Sequence, residues 1–211
     1  FVPAGVYDAE GATGDDFRTV GGDYYKPTDA DYEANCEEAR ALLAEAGYEN
    51  GEGFPVVEYL YNTSDAHKAV AEALQYMWEE ELGVKVTLNN QEWAAFLQTR
   101  KDGDYSIARN GWIADYNDPC SFLDMWYTGG GNNDAQYSNP EYDALIDAAK
   151  ATSDQTERMA AFHKAEDLLI GQDSVLAPIY FYTNPYMLSD NISGMYYTPL
   201  GYFFFGYTQQ N

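Results

Sequence analysis

The sequence predicts the α/β fold class, in which helices pack against a sheet. Short runs rich in β-branched and aromatic residues alternate with longer stretches whose apolar residues recur at helical spacing. The length of 211 residues and the hydrophobic content of 45% are sufficient for one large core. Because no internal repeat or long linker interrupts the alternation, we expect one domain over residues 1–211.

The first half of the chain predicts three helices and three strands. Residues 1–28 show no period and predict an irregular lead-in, after which Pro27, Thr28 and Asp29 offer capping residues for a helix at 33–46. A second helix carries a stripe of apolar residues at helical spacing, namely Val70, Ala73, Leu74, Met77 and Trp78. A third helix is expected at residues 92–101. Three β-rich runs predict strands at residues 56–61, 84–88 and 105–109.

The second half predicts further helices and strands with longer loops between them. Clusters of Gly, Asn and Pro predict a loop at 111–119, and a Gly-rich run predicts a flexible connector at 129–133. Helical turns or helices are expected at 122–127, 141–152 and 155–170. Hydrophobic runs predict strands at 176–182 and 187–188. The aromatic, Gly-rich tail at 195–207 has no evident partner within the chain.

The chain is strongly acidic, with 35 Asp and Glu residues against 11 Lys and Arg residues. A formal net charge of −24 repels phosphate backbones and anionic lipid surfaces, so nucleic acid is not an expected partner. No stretch of the sequence is long and apolar enough to cross a bilayer. The sequence given starts at Phe1 with no Met and no basic segment, and we expect a mature or excised piece whose compartment these features leave open.

Sequence motifs for catalysis and metal binding are absent. Gly129–Gly131 lacks the Lys and Ser or Thr of a phosphate-binding loop, and there is no nucleophile elbow and no His-Glu-x-x-His motif. Cys36 and Cys120 have no metal-like spacing, and His67 and His163 lie far apart. Neither an enzyme nor a bound metal or cofactor is expected, while sequence leaves open whether the two cysteines pair.

Two arginines suggest a site for a carboxylate. Arg100 ends a predicted helix and Arg109 ends a predicted strand, with Gly103 turning the chain between them. Both guanidinium groups could therefore lie at one edge of a cleft and donate paired, charge-assisted hydrogen bonds. Spacing alone favours the alternative that each Arg pairs with one of the many surface carboxylates. By position alone, His67 near a helix start is an ordinary polar helix residue.

Asp115 is a candidate for binding an ammonium group. It lies in the predicted loop shortly after Gly111 and Trp112, and a carboxylate shielded by aromatic rings attracts a cation more strongly than a solvated one does. The alternative is an Asx turn with Asn117 and Pro119, which is a common way to shape a loop.

Three blocks of sequence are specific enough to indicate a family. They are YNTSDAHK at 61–68, NQEW at 90–93 with FL at 96–97 and TR at 99–100, and ARNGWIADYNDP at 108–119. Together with the spacing between them, these blocks resemble the C-terminal lobe of the oligopeptide-binding proteins of bacterial ABC importers, the extracellular solute-binding proteins of family 5. The resemblance covers most of the chain.

The resemblance implies a periplasmic-binding-protein-like (type II) lobe with a mixed sheet flanked by helices. In it, residues 1–28 are a lead-in and the tail at 195–211 contacts a missing N-terminal lobe of the same protein. The implied function is capture of short peptides through their backbone and charged ends, and delivery to the ABC permease. The implied location is extracytoplasmic, either in the periplasm or lipid-anchored at the outer face of the cell membrane.

The resemblance also implies roles for individual residues. Asp115 matches the family residue that takes the peptide α-amino group, whereas Arg100, Arg109 and His67 match those that receive the peptide carboxylate. Five further residues match positions that line the cleft, namely Asn62, Trp93, Gly111, Trp112 and Ile113.

Some features depart from the family pattern. The best-known relatives have Cys where Ile113 stands and Thr where Cys120 stands, so their disulfide there cannot form. Two alternatives remain open: oligosaccharide or other solute binding on the same fold, and a peptide-sensing module without transport. The first would not need Asp115 or the Arg pair, whereas the second would use the same site.

Overall fold

A computed structural model describes residues 1–26, 28–198 and 200–211. The predicted capping residue Pro27, like Pro199 in the tail, lies outside the described residues. Within the described part, the helix after it begins at Tyr32, and its N-cap residue Asp31 makes no side-chain capping hydrogen bond.

The chain divides into two compact units. Unit 1 comprises Phe1–Tyr24 and Trp112–Asn211, and unit 2 comprises Tyr25–Gly111. Neither boundary has the composition of a linker, which is why the sequence pattern predicts one domain. That residues 1–211 form a single lobe of a larger protein stays a prediction, because the division concerns only contacts within this chain.

Helices and strands alternate in unit 2, as the α/β prediction requires, whereas consecutive helices and then consecutive short strands follow in unit 1. In order they are α1 (Phe17–Gly21), α2 (Tyr32–Glu45), β1 (Val57–Asn62), α3 (Asp65–Leu82), β2 (Val86–Gln91), α4 (Trp93–Asp102), β3 (Ile107–Ala108), α5 (Cys120–Leu123), α6 (Pro140–Ala151), α7 (Gln155–Glu166), β4 (Ile192–Ser193), β5 (Tyr196–Tyr197), β6 (Phe203–Phe204) and β7 (Gln209–Gln210). Short 3-10 turns occur at Gly11–Thr13, Glu49–Gly51 and Asp124–Trp126, and a π-helical turn occurs at Asp167–Gln172.

Unit 2 is built on a parallel sheet with the strand order β2-β1-β3. The β1–β2 register runs from Val57 opposite Val86 to Asn62 opposite Gln91. The central strand β1 has three consecutive buried residues, as expected for a strand that is covered on both faces. The helices α3 and α4 follow β1 and β2 and return the chain for parallel pairing.

The face of α3 that packs in the core differs by a small rotation from the predicted stripe. Ala73 is exposed, whereas Ala71 is buried and the neighbouring Leu74, Trp78 and Leu82 pack against the core of unit 2. Both sets have helical spacing, so the pattern predicted the helix correctly but not the exact direction of its buried face.

Unit 1 has its core between α6, α7 and the segments that pack on them. Its fully buried side chains include Val2, Phe17, Leu123, Trp126, Tyr142, Ile146, Phe162 and Leu169. The hydroxyl of Tyr142 donates to the carbonyl of Leu123 at 2.6 Å, which satisfies two polar groups inside this core. The expected irregular lead-in is therefore more than a connection, because Val2 and Phe17 belong to the core and Phe17 begins α1.

The C-terminal part of unit 1 contradicts two strand predictions. Residues 176–182 and 187–188 have no regular secondary structure, and residues 179–190 are exposed. A hydrophobic run becomes a strand only where a partner strand accepts its backbone hydrogen bonds, and the described residues offer none here. The tail instead forms two antiparallel pairs, β4 with β7 and β5 with β6. Parallel and antiparallel pairs thus lie in separate sheets rather than in one mixed sheet.

No helix in the described part of the chain combines the length and the apolar character needed to span a membrane.

Substitution of two glycines, Gly83 and the control Gly47, tests the packing at the end of α3. Gly83 ends α3 with φ +67°, and a Cβ added there would lie 2.3 Å from the backbone oxygen of Asn50. Gly47 also has positive φ, but a Cβ there would meet nothing within 4 Å. We expect Gly47→Ala to lower the free energy of unfolding by about 1–2 kcal/mol through backbone strain. Gly83→Ala should lower it by about 1–3 kcal/mol more, because the backbone of residue 50 must move.

Urea unfolding followed by circular dichroism measures both losses. Equal losses for the two variants would contradict the close approach of Gly83 to Asn50.

Candidate functional site

The parallel sheet of unit 2 places several predicted site residues at one edge. Asn62 is the last residue of β1, Trp93 begins α4 directly after β2, and Arg109 follows β3. The carboxyl ends of parallel strands lie at the same edge, which is where open α/β sheets bind ligands. The sheet topology therefore collects residues that are far apart in sequence.

Asn62 connects Arg109 and His67. The Nη1 atom of Arg109 donates to the side-chain oxygen of Asn62 at 3.4 Å, and Nδ1 of His67 lies 3.3 Å from the backbone oxygen of Asn62. The backbone N–H of Arg109 also donates to the carbonyl of Leu60 at 2.8 Å, which extends the β1–β3 ladder by one bond. All three predicted side chains are half-buried.

Arg100 lies beside the residue that follows Arg109. Its Nη1 atom donates to the side-chain oxygen of Asn110 at 2.9 Å, and the same oxygen accepts the N–H of Gly111 at 2.8 Å. The Cζ atom of Arg100 is 5.2 Å from the ring centroid of Phe96, within the range of a cation–π interaction. These contacts bring the two predicted arginines into one hydrogen-bonded segment at the strand ends.

Trp93 stacks on the same ring and leaves one side open. Its ring centroid is 5.8 Å from that of Phe96, and the Trp93 side chain is 54% exposed. An exposed aromatic surface stacked on the ring that the Arg100 guanidinium also contacts is suited to bind a ligand that has both apolar and anionic parts.

A pocket at the same strand ends was not anticipated from the sequence. It has a volume of 270 Å³ and is lined by Tyr61, Thr63, Ser64, Asp65, Lys68 and Asn90. The hydroxyl of Thr63 is 3.0 Å from the side-chain oxygens of Asn90 and Glu92. Most of the lining lies within the YNTSDAHK block, which was the available signal for it.

The other predicted residues lie in unit 1. Asp115 and Trp112 line a pocket of 320 Å³, whose other walls come from Tyr116, α5, residues 124–127, α6 and the turn at 130–132. Asp115 is exposed, and its backbone N–H donates to the buried Ser121 hydroxyl at 2.9 Å. Among the described residues, its carboxylate has neither a hydrogen-bond nor an ion-pair partner.

The other carboxylates that line the Asp115 pocket have partners within the protein. Asp124 forms an ion pair with Lys150, and Asp147 accepts the hydroxyl of Tyr127 at 3.2 Å. Burial raises the pKa of the Cys120 thiol, so that group stays neutral at physiological pH. Of the three carboxylates that line this pocket, Asp115 is the one left without a partner among the residues described, and it is free to bind a cation.

The alternative prediction for Asp115 was that its side chain shapes the loop, and in the structure the side chains of Asp118 and Asn117 do so. Asp118 accepts the N–H of Cys120 at 2.9 Å, and it also binds Arg158. Asn117 holds the lead-in, since its amide donates to the carbonyl of Gly5 and accepts the N–H of Tyr7, both at 3.1 Å. The loop is thus shaped by side chains other than that of Asp115.

The remaining predictions have simple outcomes. Gly111 is exposed and Ile113 is 75% exposed, and their lining of a cleft stays a prediction. Cys36 and Cys120 are both free cysteines in this structure. Within the described residues, no group of three or more metal-ligating side chains could hold a metal ion. That residues of both units serve one ligand also stays a prediction.

Sequence reasoning missed the residues that support the predicted ones. Ser121, Asp118 and Arg158 fix the loop around Asp115, and Asn110 holds Arg100. A weak signal existed for Asp118, because an Asp just before Pro119 and a helical pattern is a common start of a helix. No local pattern indicates Arg158, which lies 40 residues away in sequence.

Known proteins resemble this chain in sequence and in structure. A family model described as bacterial extracellular solute-binding proteins, family 5 middle, matches residues 5–134. The periplasmic oligopeptide-binding protein OppA of Salmonella typhimurium is 43% identical over 158 residues, which are 75% of this chain and 29% of that protein. The dipeptide-binding protein DppE of Bacillus subtilis is 37% identical over 205 residues, which are 95% of this chain and 36% of that protein.

A solved structure agrees with these matches. Haemophilus influenzae OppA in complex with RPPGFSPFR has a TM-score of 0.67 and 38% sequence identity, covering 79% of this chain and 32% of that one. The predicted periplasmic-binding-protein-like fold is thereby confirmed. The chain spans only about a third of the length of the curated relatives it matches.

The support of the Asp115 loop by Ser121 can be tested with a pair of serines. Ser121→Ala removes the acceptor of the Asp115 N–H, and we expect faster hydrogen exchange at that amide and a loss of about 1 kcal/mol in stability. Ser189→Ala is the control, because the Ser189 hydroxyl bonds to Asn191 at an exposed site. Exchange measured by mass spectrometry that stays unchanged in Ser121→Ala would contradict this role.

Proposed function

The chain belongs to the bacterial extracellular solute-binding proteins of family 5, as its sequence motifs predict, and from that premise we propose that it is the C-terminal lobe of a peptide-binding protein of an ABC importer. The intact protein would capture short peptides outside the cytoplasm and deliver them to the permease of the importer. It would carry out no catalysis, and it would be either periplasmic or lipid-anchored at the outer face of the cell membrane.

The observation that carries this proposal is the state of Asp115. Its carboxylate is exposed and without a partner among the described residues, in a pocket whose other carboxylates are already engaged. Trp112 forms a wall of the same pocket. An ammonium group placed there gains a charge-assisted hydrogen bond that no internal group competes for.

A carboxylate would be received at the strand ends of unit 2. Arg100 and Arg109 supply guanidinium forks, and His67 lies close to Asn62, which holds Arg109. Arg suits this task better than Lys, because its planar fork matches the two oxygens of a carboxylate. A peptide carries a free ammonium group at one end and a free carboxylate at the other, which are the two charges that these residues are suited to bind.

The remainder of the ligand would be held with little dependence on its sequence. Asn62, Trp93, Gly111, Trp112 and Ile113 offer aromatic surface, an amide and backbone groups rather than further fixed charges. Water that bridges such groups to a peptide is nearly as favourable as a direct hydrogen bond. We therefore expect broad selectivity for side chains.

The tail is proposed to contact the N-terminal lobe of the same protein. Large apolar side chains are exposed in the tail and just before it: Tyr202, Phe205 and Tyr207 lie in the tail, and Tyr180, Tyr182 and Met187 precede it. Contiguous exposed apolar side chains commonly mark an interaction surface. A second lobe would cover them and complete the cleft.

Two other functions remain as alternatives within the family. Binding of an oligosaccharide or another solute would make no use of Asp115 or of the Arg pair, whereas peptide sensing without transport would use them in the same way. Mass spectrometry of the ligand that co-purifies with the full-length protein separates solute binding from peptide binding. Peptide uptake in cells that lack the protein separates transport from sensing.

Removal of Asp115 is expected to weaken peptide binding selectively. In the full-length protein, Asp115→Ala should cost about 2–5 kcal/mol of binding free energy for a tripeptide, because the buried ammonium group is left unpaired. An N-acetylated tripeptide should bind poorly to the unaltered protein and equally poorly to the variant. Isothermal titration calorimetry measures both peptides.

Asp15→Ala is the matched control, because Asp15 is an exposed carboxylate of unit 1 outside the pocket. Unchanged tripeptide affinity in Asp115→Ala would refute the ammonium role of that residue.

Removal of one arginine is expected to affect short peptides most. Arg100→Ala or Arg109→Ala should cost about 1.5–3 kcal/mol for a tripeptide, the usual value of a hydrogen bond to a charged group. A longer peptide has more backbone contacts, so it should lose less affinity, and a C-amidated tripeptide should lose least. Calorimetry over a length series tests this, with Arg40→Ala as a surface control. Equal losses for the free acid and the amide would count against the carboxylate site.

A further inference from the structure

The loop at 111–119, which carries Trp112 and Asp115, depends on side-chain contacts for its shape. None of its residues belongs to a helix or a strand. The N–H of Asp115 bonds to Ser121, and the N–H of Asp118 donates to the carbonyl of Tyr116 at 3.0 Å. Because such a loop has no ladder of backbone bonds, its position is set by the side chains that anchor it.

Asp118 is the strongest of these anchors. Its Oδ1 atom accepts the N–H of Cys120 at 2.9 Å and Nη2 of Arg158 at 2.8 Å, while its Oδ2 atom accepts Nη1 of Arg158 at 2.6 Å. The side chains of Asp118 and Arg158 are 23% and 16% exposed, respectively. A two-pronged bond of this kind fixes orientation as well as distance, and partial burial keeps it from being screened.

Arg158 projects from a rigid part of unit 1. It lies in the first half of α7, where Met159, Phe162 and Ala165 are buried in the core. Its Cζ atom is 4.8 Å from the ring centroid of Phe162, so a cation–π contact with that ring also holds the guanidinium group. The Asp118–Arg158 pair therefore couples the loop to the core through α7, in addition to the bonds made by Ser121 and Asn117.

We propose that Arg158 is a positioning residue for ligand recognition, which acts through Asp118 to hold the loop so that Asp115 and Trp112 are presented to the amino group of the ligand. This inference rests on the proposed function, in which Asp115 takes that amino group. Arg158 makes its contribution without touching the ligand, because both of its Nη atoms bond to Asp118.

Loss of this anchor has a specific consequence for binding. A loop that is no longer held must be ordered when the ligand binds, and this ordering lowers affinity. Supporting partners of metal-binding side chains change affinity by about 10–100-fold when they are removed, and a similar size is reasonable here. The loss should fall on ligands that use Asp115 and not on ligands that cannot.

Two conservative variants of the full-length protein test the inference. Arg158→Lys keeps the charge but removes the fork, and Asp118→Asn keeps an acceptor for the Cys120 N–H but removes the charge. For each, calorimetry gives the affinity of a tripeptide with a free amino group and of its N-acetylated form. We expect about a tenfold loss for the free peptide and little change for the acetylated one, so that the ratio of the two affinities contracts.

The control is Arg40→Lys, because Arg40 also binds two carboxylate oxygens at 2.8 Å but lies on the surface of unit 2. It should leave the ratio unchanged. Thermal unfolding of every variant identifies effects on stability alone. Lower melting temperatures with an unchanged ratio in both Arg158→Lys and Asp118→Asn would overturn the positioning role.

Asp115→Ala in the same series separates the two levels of the hypothesis. If Asp115→Ala removes the preference for the free peptide over the acetylated one while Arg158→Lys and Asp118→Asn keep that preference, the inference about Arg158 fails and the ammonium site stands. If Asp115→Ala keeps the preference for the free peptide, the ammonium site fails, and the role of Arg158 fails with it.

Discussion

The organisation of unit 1 depends on the need to supply donors to its carboxylates. A chain with 35 acidic and 11 basic residues cannot pair each carboxylate with a cation, and a carboxylate removed from water without donors is costly. Backbone N–H groups take over much of this task. Glu166, which is 5% exposed, accepts the N–H of Val2, and Asp16 accepts the N–H groups of Gly5 and Thr19. Hydrogen bonding by the Thr19 side chain and by the N–H of Gly5 holds the pKa of Asp16 below its usual value. These bonds fasten the lead-in to the core.

The same constraint makes Asp115 distinctive. The neighbouring carboxylates of its pocket and its loop are engaged by Lys150, Tyr127, Arg158 and the Cys120 N–H. Asp115 is left exposed and without a partner among the described residues. Water solvates its carboxylate, so the lack of a partner costs little, and the group is available to a cationic ligand. In unit 2 the corresponding constraint is the parallel pairing of β1 with β2 and β3. It gathers polar and cationic side chains at the strand ends, where the backbone turns away from the sheet.

Patterns of hydrophobicity were good guides where each element is local. The helices α2, α4 and α6 and the strand β1 begin and end within a few residues of their expected bounds. They were poor guides where the outcome depends on a distant partner. Residues 176–182 are as hydrophobic as a strand but lack a neighbour to pair with, and residues 1–24 show no period although Val2 and Phe17 are fully buried.

The sequence by itself determined the family, the α/β class and the identity of the charged residues, because motifs and periodicity are properties of short segments. Only the tertiary structure decided which of those residues are held and by what. Asn62 joins His67 to Arg109 because parallel strands end together, and Arg158 reaches Asp118 because α7 folds back beside the loop. Such contacts join residues that no local pattern relates, since the free energy that stabilises them arises from packing of the whole unit.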